Sequence, residues 1–445
     1  MAGTGRSASA TPGTDAPGST GKDSSMTDYL FRNLELLDVR EGALKSGFQI
    51  LVKDGKFAAV EKGAINQKGA TEIDLGGRTV MPGLIDSHVH IHPSILPIAP
   101  IYLPSMATAW ASVTLKGMLM RGFTTVRDAG GADLGHKRAV EQDLFQGPRI
   151  FVSGRAISQL GGHGDPRSPA DISEPCPCVQ VFPGIGRIAD GVPEVRRAVR
   201  DEIRLGSDQI KLMAGGGVGS IADPVEHDQY STEELEAVVD EATRAHTYVM
   251  AHVYTSSGIN RCLAAGVRTI EHGNLMDEAA AKAIARAGAY LVPNLVAYYM
   301  IREIGREVGF PEESQPKNDY VLSFGARSIE LAQAAGVKIG YGTDLAKPKA
   351  ALMQSREFLI RAEVMKPADI IRSATLIGAE IVRMTGKLGE IVPGAIADML
   401  VVDGDPLKDL KLLTEQGAYL PLIMKDGKIY KNIISQERGT AGLAR

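Results

Sequence analysis

Between residues 81 and 389, short apolar, β-branched runs alternate with stretches of helical spacing. That is the pattern of strand–helix units built around a parallel sheet. The runs predict strands at Leu84–His90, Phe123–Asp128, Arg149–Ile157, Gln209–Met213, Tyr248–Tyr254, Thr269–His272, Tyr290–Asn294 and Val337–Asp344. Ser231-Thr-Glu-Glu234 reads as a capping box opening a helix over Leu235–His246. Gly288 and Gly336 stand where helices should end, just before the last two strands. Eight strands in this order predict an α/β fold, a (β/α)8 TIM barrel. Such barrels carry their chemistry at the C-terminal strand ends.

The two flanks read differently. Phe48–Lys53 and Lys56–Val60 are β-type runs around Asp54-Gly55, a dipeptide that favours the type I′ hairpin turn. The pattern returns at Leu422–Lys425, Asp426-Gly427 and Lys428–Tyr430, and Ala397–Val402 adds a strand after a Pro393-Gly394 turn. A lone hairpin is marginal in water. Both chain ends, residues 26–80 and 390–435, are therefore expected to form one small β-sandwich domain beside the barrel at 81–389. Residues 1–25 carry almost no large apolar side chain and read as a disordered tail.

Composition narrows the picture modestly. The chain has 445 residues, 44% hydrophobic and 23% charged, ample for a large core. A formal net charge of −4 with no basic block gives no support to a nucleic-acid or anionic-membrane partner. No apolar run has transmembrane length, so a cytoplasmic location is the default expectation, a removed leader leaving no trace. Three cysteines are too few for a disulfide framework. Cys176, Cys178 and Cys262 read as free thiols, with a redox or zinc role for the first two as the alternative.

The candidate chemistry gathers at the strand ends. His88-Val-His90 closes the first strand, and residues two apart share a face, so both imidazoles can grip one cation. Lys211 lies on the fourth strand, His252 near the end of the fifth, His272 at the end of the sixth and Asp344 at the end of the eighth. Taken singly, each has a plain alternative: a hydrogen-bonded core histidine, a capping aspartate, a lysine reaching out to solvent. Together they read as a metal site. A protonated ammonium has no lone pair, so Lys211 fits only as a neutral amine, its pKa lowered by burial. Such an amine can take up carbon dioxide and become a carbamate, able to bridge two metals about 3.5–4 Å apart. Nitrogen ligands with carboxylates suit zinc, and manganese or cobalt would also fit. His92 is expected outside the ligand set, and His136, His227 and His246 as ordinary surface residues.

Pro82-Gly-Leu-Ile-Asp-Ser-His88-Val-His90, Ile210-Lys211, Ala251-His252, Glu271-His272-Gly273 and Gly342-Thr-Asp344 resemble the amidohydrolase superfamily, in its binuclear branch with a carboxylated lysine. The resemblance runs from Tyr29 to Asn432. It implies one metal on His88, His90, carboxylated Lys211 and Asp344, and a second on His252, His272 and the shared Lys211. Asp344 would accept a proton from a bridging hydroxide and pass it to the leaving nitrogen.

Leu160-Gly-Gly-His163-Gly-Asp165 and His252-Val-Tyr254 are similar to the Xaa-Pro and basic-residue dipeptidases and ochratoxin-hydrolysing members of that superfamily. In that group His163 and Tyr254 would hold the scissile carbonyl or the substrate carboxylate; a tight loop and a packing tyrosine are the alternatives. The implied substrates are dipeptides or N-acyl amino acids, and the implied assembly a homo-oligomer, often an octamer. Tyr298 and Tyr299 would offer an aromatic wall or pack a helix. The competing activity is cyclic-amide hydrolysis of the dihydropyrimidinase or hydantoinase kind. Mononuclear deaminases lack the bridging lysine, and a non-catalytic scaffold would have lost ligands that are all present here.

Overall fold

Asp54 and Gly55 both adopt left-handed backbone, φ 49° and 75°, and so do Asp426 and Gly427, φ 52° and 73°. These are the dihedral signs of the type I′ turn. Each turn joins an antiparallel hairpin, Ala43–Lys53 with Lys56–Lys62 and Leu422–Lys425 with Lys428–Asn432. In the computed structural model, which describes residues 27–93, 103–167, 170, 172 and 186–434, the hairpins are the two margins of one sheet. Its inner strands are Met399–Val402, Thr71–Pro82 and Tyr29–Asp38, in that order, for seven strands in all. Phe31, Ile50, Phe57, Val80, Met399 and Leu422 form its buried core. Met399 pairs with Pro82, so the C-terminal segment registers against the strand that leads straight into Leu84. The expected tail at 1–25 and the Cys176–Cys178 pair lie outside the described residues.

The intervening strands are parallel. Leu84–Val89, Phe123–Asp128 and Arg149–Phe151 form one sheet. Ala156–Ser158, Ile210–Met213, Val249–Thr255, Thr269–Leu275, Tyr290–Val292 and Lys338–Ile339 follow in a second, with Gly186–Ile188 at its margin. The expected third strand, Arg149–Ile157, is thus two strands. Gly154 breaks it at φ 66°, and Glu202 takes the Arg155 N–H at 3.1 Å where a ladder partner would stand. The last two strands are shorter than expected. Pro293 has no N–H and Asn294 turns left-handed at φ 53°, which ends the seventh. Beyond Ile339 the backbone addresses the first strand instead: the Ser87 N–H donates to the Tyr341 carbonyl at 2.8 Å, and the Asp344 N–H to the His88 carbonyl at 2.8 Å.

Ser231 and Glu234 do make the reciprocal capping box, but its helix spans Thr232–Arg244 and stops short of His246, which is left-handed at φ 58°. Gly288 and Gly336 cap their helices at φ 64° and 76°. Cys262 is buried on the helix Ser256–Ala265. His227 and His246 are exposed as expected. His136 is not: it is buried, its Nδ1 2.7 Å from the Asp133 carboxylate that caps the same helix, and His92 is buried edge-on against it. No helix among the described residues is long and apolar enough to cross a membrane.

Leu84–Val89, Phe123–Asp128 and Ile210–Met213 are buried at every residue, as strands covered on both faces must be. Their polar members, His88, Arg127, Asp128 and Lys211 among them, therefore need partners inside the protein.

Candidate metal centre

His88 and His90 converge on one carboxylate oxygen. Asp344 Oδ1 lies 2.9 Å from His90 Nε2 and 3.3 Å from His88 Nε2. The far nitrogen of each ring is committed elsewhere. His90 Nδ1 is 2.9 Å from the Gly130 carbonyl, which can only accept, so Nδ1 carries the proton and Nε2 the lone pair. His88 Nδ1 is 2.7 Å from Glu271 Oε2, and Arg127 holds the other Glu271 oxygen at 2.8 Å. Burial pushes the Glu271 carboxyl up, but Arg127 and His88 outweigh it and bring it down to about 2. The Asn294 amide nitrogen also lies 3.1 Å from His88 Nδ1, but the ionised Glu271 carboxylate is the nearer and stronger partner and assigns the proton to Nδ1. His88 Nε2 is then a buried atom with no hydrogen-bond partner, facing a carboxylate. Acceptor faces acceptor, the arrangement a divalent cation resolves. His88, His90 and Asp344 place their ligand atoms within 4.8 Å of one another. Burial opposes charge on Asp344 too, yet the facing His88, His90 and His272 hold it well below the carboxylate range.

His252 and His272 stand beside them, ring centroids 4.5 Å apart. His252 Nε2 is 3.0 Å from the Gly216 carbonyl and so bears the proton, leaving its Nδ1 lone pair free. His272 Nδ1 is 2.8 Å from the Tyr298 hydroxyl, with Nε2 3.9 Å from Asp344 Oδ2. Lys211 is 1% exposed, and burial lowers its ammonium to about 8. Three residues here, His272, Asn294 and Asp344, are left-handed at φ 75°, 53° and 52°, conformations that non-glycine residues keep only when their surroundings enforce them. The glycine of Gly342-Thr-Asp344 has a steric reason: a Cβ there would fall 2.3 Å from Asn294 Oδ1 and 3.0 Å from His88 Cβ.

His163 stacks on His252, centroids 4.2 Å apart at 19°, and its Nδ1 is 2.8 Å from Ser220 Oγ. Burial lowers its pKa. The Tyr254 ring lies 5.0 Å from His252 and 5.2 Å from His272, and burial raises its hydroxyl. All eight residues singled out in the sequence, His88, His90, His163, Lys211, His252, Tyr254, His272 and Asp344, line one cavity. Met213, Val218, Met300, Ile301 and Phe310 give it an apolar wall. Tyr298 lines it as well. Tyr299 does not; it packs 5.0 Å under the Arg302 guanidinium, away from this wall.

Sequence reasoning passed over Arg127, Asn274, Ser220 and Asp223, and quoted Glu271 without a role. One signal was available: an arginine inside Phe123–Asp128, a β-type run expected at the centre of the parallel sheet, has to find a buried acid.

The amidohydrolase family profile matches residues 79–430. An ochratoxinase from Aspergillus niger is 33% identical over 374 residues, covering 79% of this chain and 75% of that protein. The crystal structure of a prolidase complexed with N-methylphosphonate-L-proline is 46% identical, with a TM-score of 0.89, 91% of this chain and 100% of that one covered. A Xaa-Pro dipeptidase with methionine bound in its active site is 31% identical, TM-score 0.82, covering 91% and 100%. With its histidines, lysine and aspartate gathered in one cavity and its profile matched over most of its length, the chain belongs to the amidohydrolase family.

Proposed function

We propose that this protein hydrolyses the amide bond of dipeptides or N-acyl amino acids, ochratoxin A among them, with two divalent cations, zinc in the first place. The observation that carries the reading is the convergence of imidazole lone pairs on Asp344 beside a buried lysine. His88 Nε2, His90 Nε2 and Asp344 would hold one cation, and His252 Nδ1 and His272 Nε2 the other. Lys211 would bridge them as a carbamate: its neutral amine bonds the carbon of carbon dioxide and releases a proton. Burial already favours that neutral amine. When bound, the cations supply Lewis acidity for water and for the scissile carbonyl.

The remaining steps belong to the protein. Asp344 takes the proton of the attacking water and passes it to the leaving nitrogen. One of His163 and Tyr254 donates to the carbonyl oxygen as charge develops, a role often worth about 2.7–4 kcal/mol. The other reads the α-carboxylate, and the apolar wall of Met300, Ile301 and Phe310 receives a side chain. The ochratoxinase and prolidase relatives support this substrate class. We also read residues 81–389 as a closed barrel, supported by the hydrogen bonds of Ser87 and Asp344, and the two flanks, 26–80 and 390–435, as its β-sandwich companion.

The test pairs each amino-acid amide with the same compound blocked as a primary amide at the carboxylate. The free acid should show the higher kcat/KM. Equal values would mean the carboxylate is not read, and faster turnover of dihydropyrimidines or hydantoins would favour cyclic-amide hydrolysis.

A further inference from the structure

Of the four imidazoles proposed as ligands, three have their protons assigned by a partner that can only accept: the Glu271 carboxylate for His88, the Gly130 carbonyl for His90 and the Gly216 carbonyl for His252. His272 differs. Its Nδ1 faces the Tyr298 hydroxyl at 2.8 Å, and a hydroxyl can donate or accept. Something else must decide which.

Asn274 decides it. Tyr298, on the helix Leu295–Ile304, is 1% exposed, and its hydroxyl meets Asn274 Oδ1 at 2.9 Å and the Tyr254 hydroxyl at 3.3 Å as well. Asn274 Nδ2 donates to the Pro293 carbonyl at 3.2 Å, which turns the amide oxygen toward Tyr298. That oxygen cannot donate, so the single Tyr298 proton goes to it. The lone pairs of Tyr298 then face the other two groups. His272 must present Nδ1–H, and Tyr254 must be the donor in its longer contact. His272 Nε2 is left with its lone pair toward the cavity.

We propose that Asn274 and Tyr298 are a positioning pair. They fix neutral His272 as the Nδ1–H tautomer that the second cation requires, and they hold the Tyr254 proton until substrate claims it. Without Asn274, Tyr298 is free to donate to Nδ1, which drives the imidazole proton onto Nε2 and removes the ligand. The proposal rests on the two-cation reading above.

The experiment titrates metal-free protein with Zn²⁺ against a chelating indicator, for the unaltered chain and for Tyr298→Phe, Asn274→Leu and Asn274→Asp. The unaltered chain should bind two ions. Tyr298→Phe and Asn274→Leu should each weaken the second by about 10- to 100-fold, the range for loss of an outer partner of a metal-binding histidine, and leave the first unchanged. Asn274→Asp, protonated so that its O–H replaces Nδ2 on the Pro293 carbonyl, keeps the acceptor toward Tyr298 and should keep the affinity. Asn274→Leu with normal second-ion affinity would overturn the proposal, because the Tyr298 hydroxyl would then act without its partner. So would an Asn274→Asp variant as weak as Asn274→Leu. An unaltered chain that binds fewer than two ions would remove the two-cation reading itself.

Discussion

Lys211 makes the heaviest demand on its surroundings, since in the proposed role its Nζ would take up carbon dioxide only after losing a proton. Burial pulls its ammonium down to about 8, while Glu271 and Asp344 pull the other way. Lys211→Ala removes the proposed bridge between the two cations. It should lower kcat by more than the roughly 10- to 100-fold that outer-partner mutations cost, and short carboxylic acids added to the assay should restore part of the rate. A Lys211→Ala variant with normal kcat would end the bridging role. At this scale the candidate residues were legible because each lies on, or shortly beyond, a parallel strand that its β-type run marks in the sequence. Their supports were not. His88 and Glu271 are 183 residues apart, and nothing local ties one to the other.

Among the elements, the loop 214–229 after the strand Ile210–Met213 governs two of the imidazoles. Its Gly216 carbonyl fixes His252, and its Ser220 and Asp223 face His163. Lys317, from the helix Ser314–Ala335, clamps the loop through the carbonyls of Gly217, Ser220 and Asp223 at 3.1, 2.8 and 2.7 Å. Gly217 leaves room for the His163 ring: a Cβ there would fall 1.8 Å from His163 Nδ1. Gly217→Ala must therefore displace that ring. It should lower kcat/KM on the order of 10²-fold, as small misplacements of catalytic groups do, with metal content unchanged. Steady-state kinetics equal to those of the unaltered chain would take His163 out of the reaction. The loop was opaque in sequence because it has no periodicity. The third, seventh and eighth strands were overextended for the opposite reason. Their apolar runs continue past the point where Gly154, Pro293 and the first strand divert the backbone.

For the whole molecule, Arg149 joins the terminal sheet to the parallel strands. It begins the strand Arg149–Phe151, donates to Asp398 at 2.8 Å and also reaches Asp426. Burial lowers its pKa, but the two carboxylates outweigh that and raise it. Arg149→Leu leaves Asp398, 4% exposed, without its cation, at a cost on the order of 3–5 kcal/mol in denaturant unfolding. Because Arg149 starts its strand and does not line the cavity, kcat per folded molecule should hold. A kcat that fell with stability would mean the junction reaches the site. The Asp-Gly turns announced the terminal hairpins, but their meeting followed only from the weakness of lone hairpins. The central place of Thr71–Pro82 was not legible at all, since pairing over such separations leaves no local trace. The most direct test of the account adds Zn²⁺ to metal-free protein while following hydrolysis of an N-acyl amino acid. The rate should climb from near zero and level off at two ions per chain. Full activity without metal, or a plateau at one ion, would contradict it.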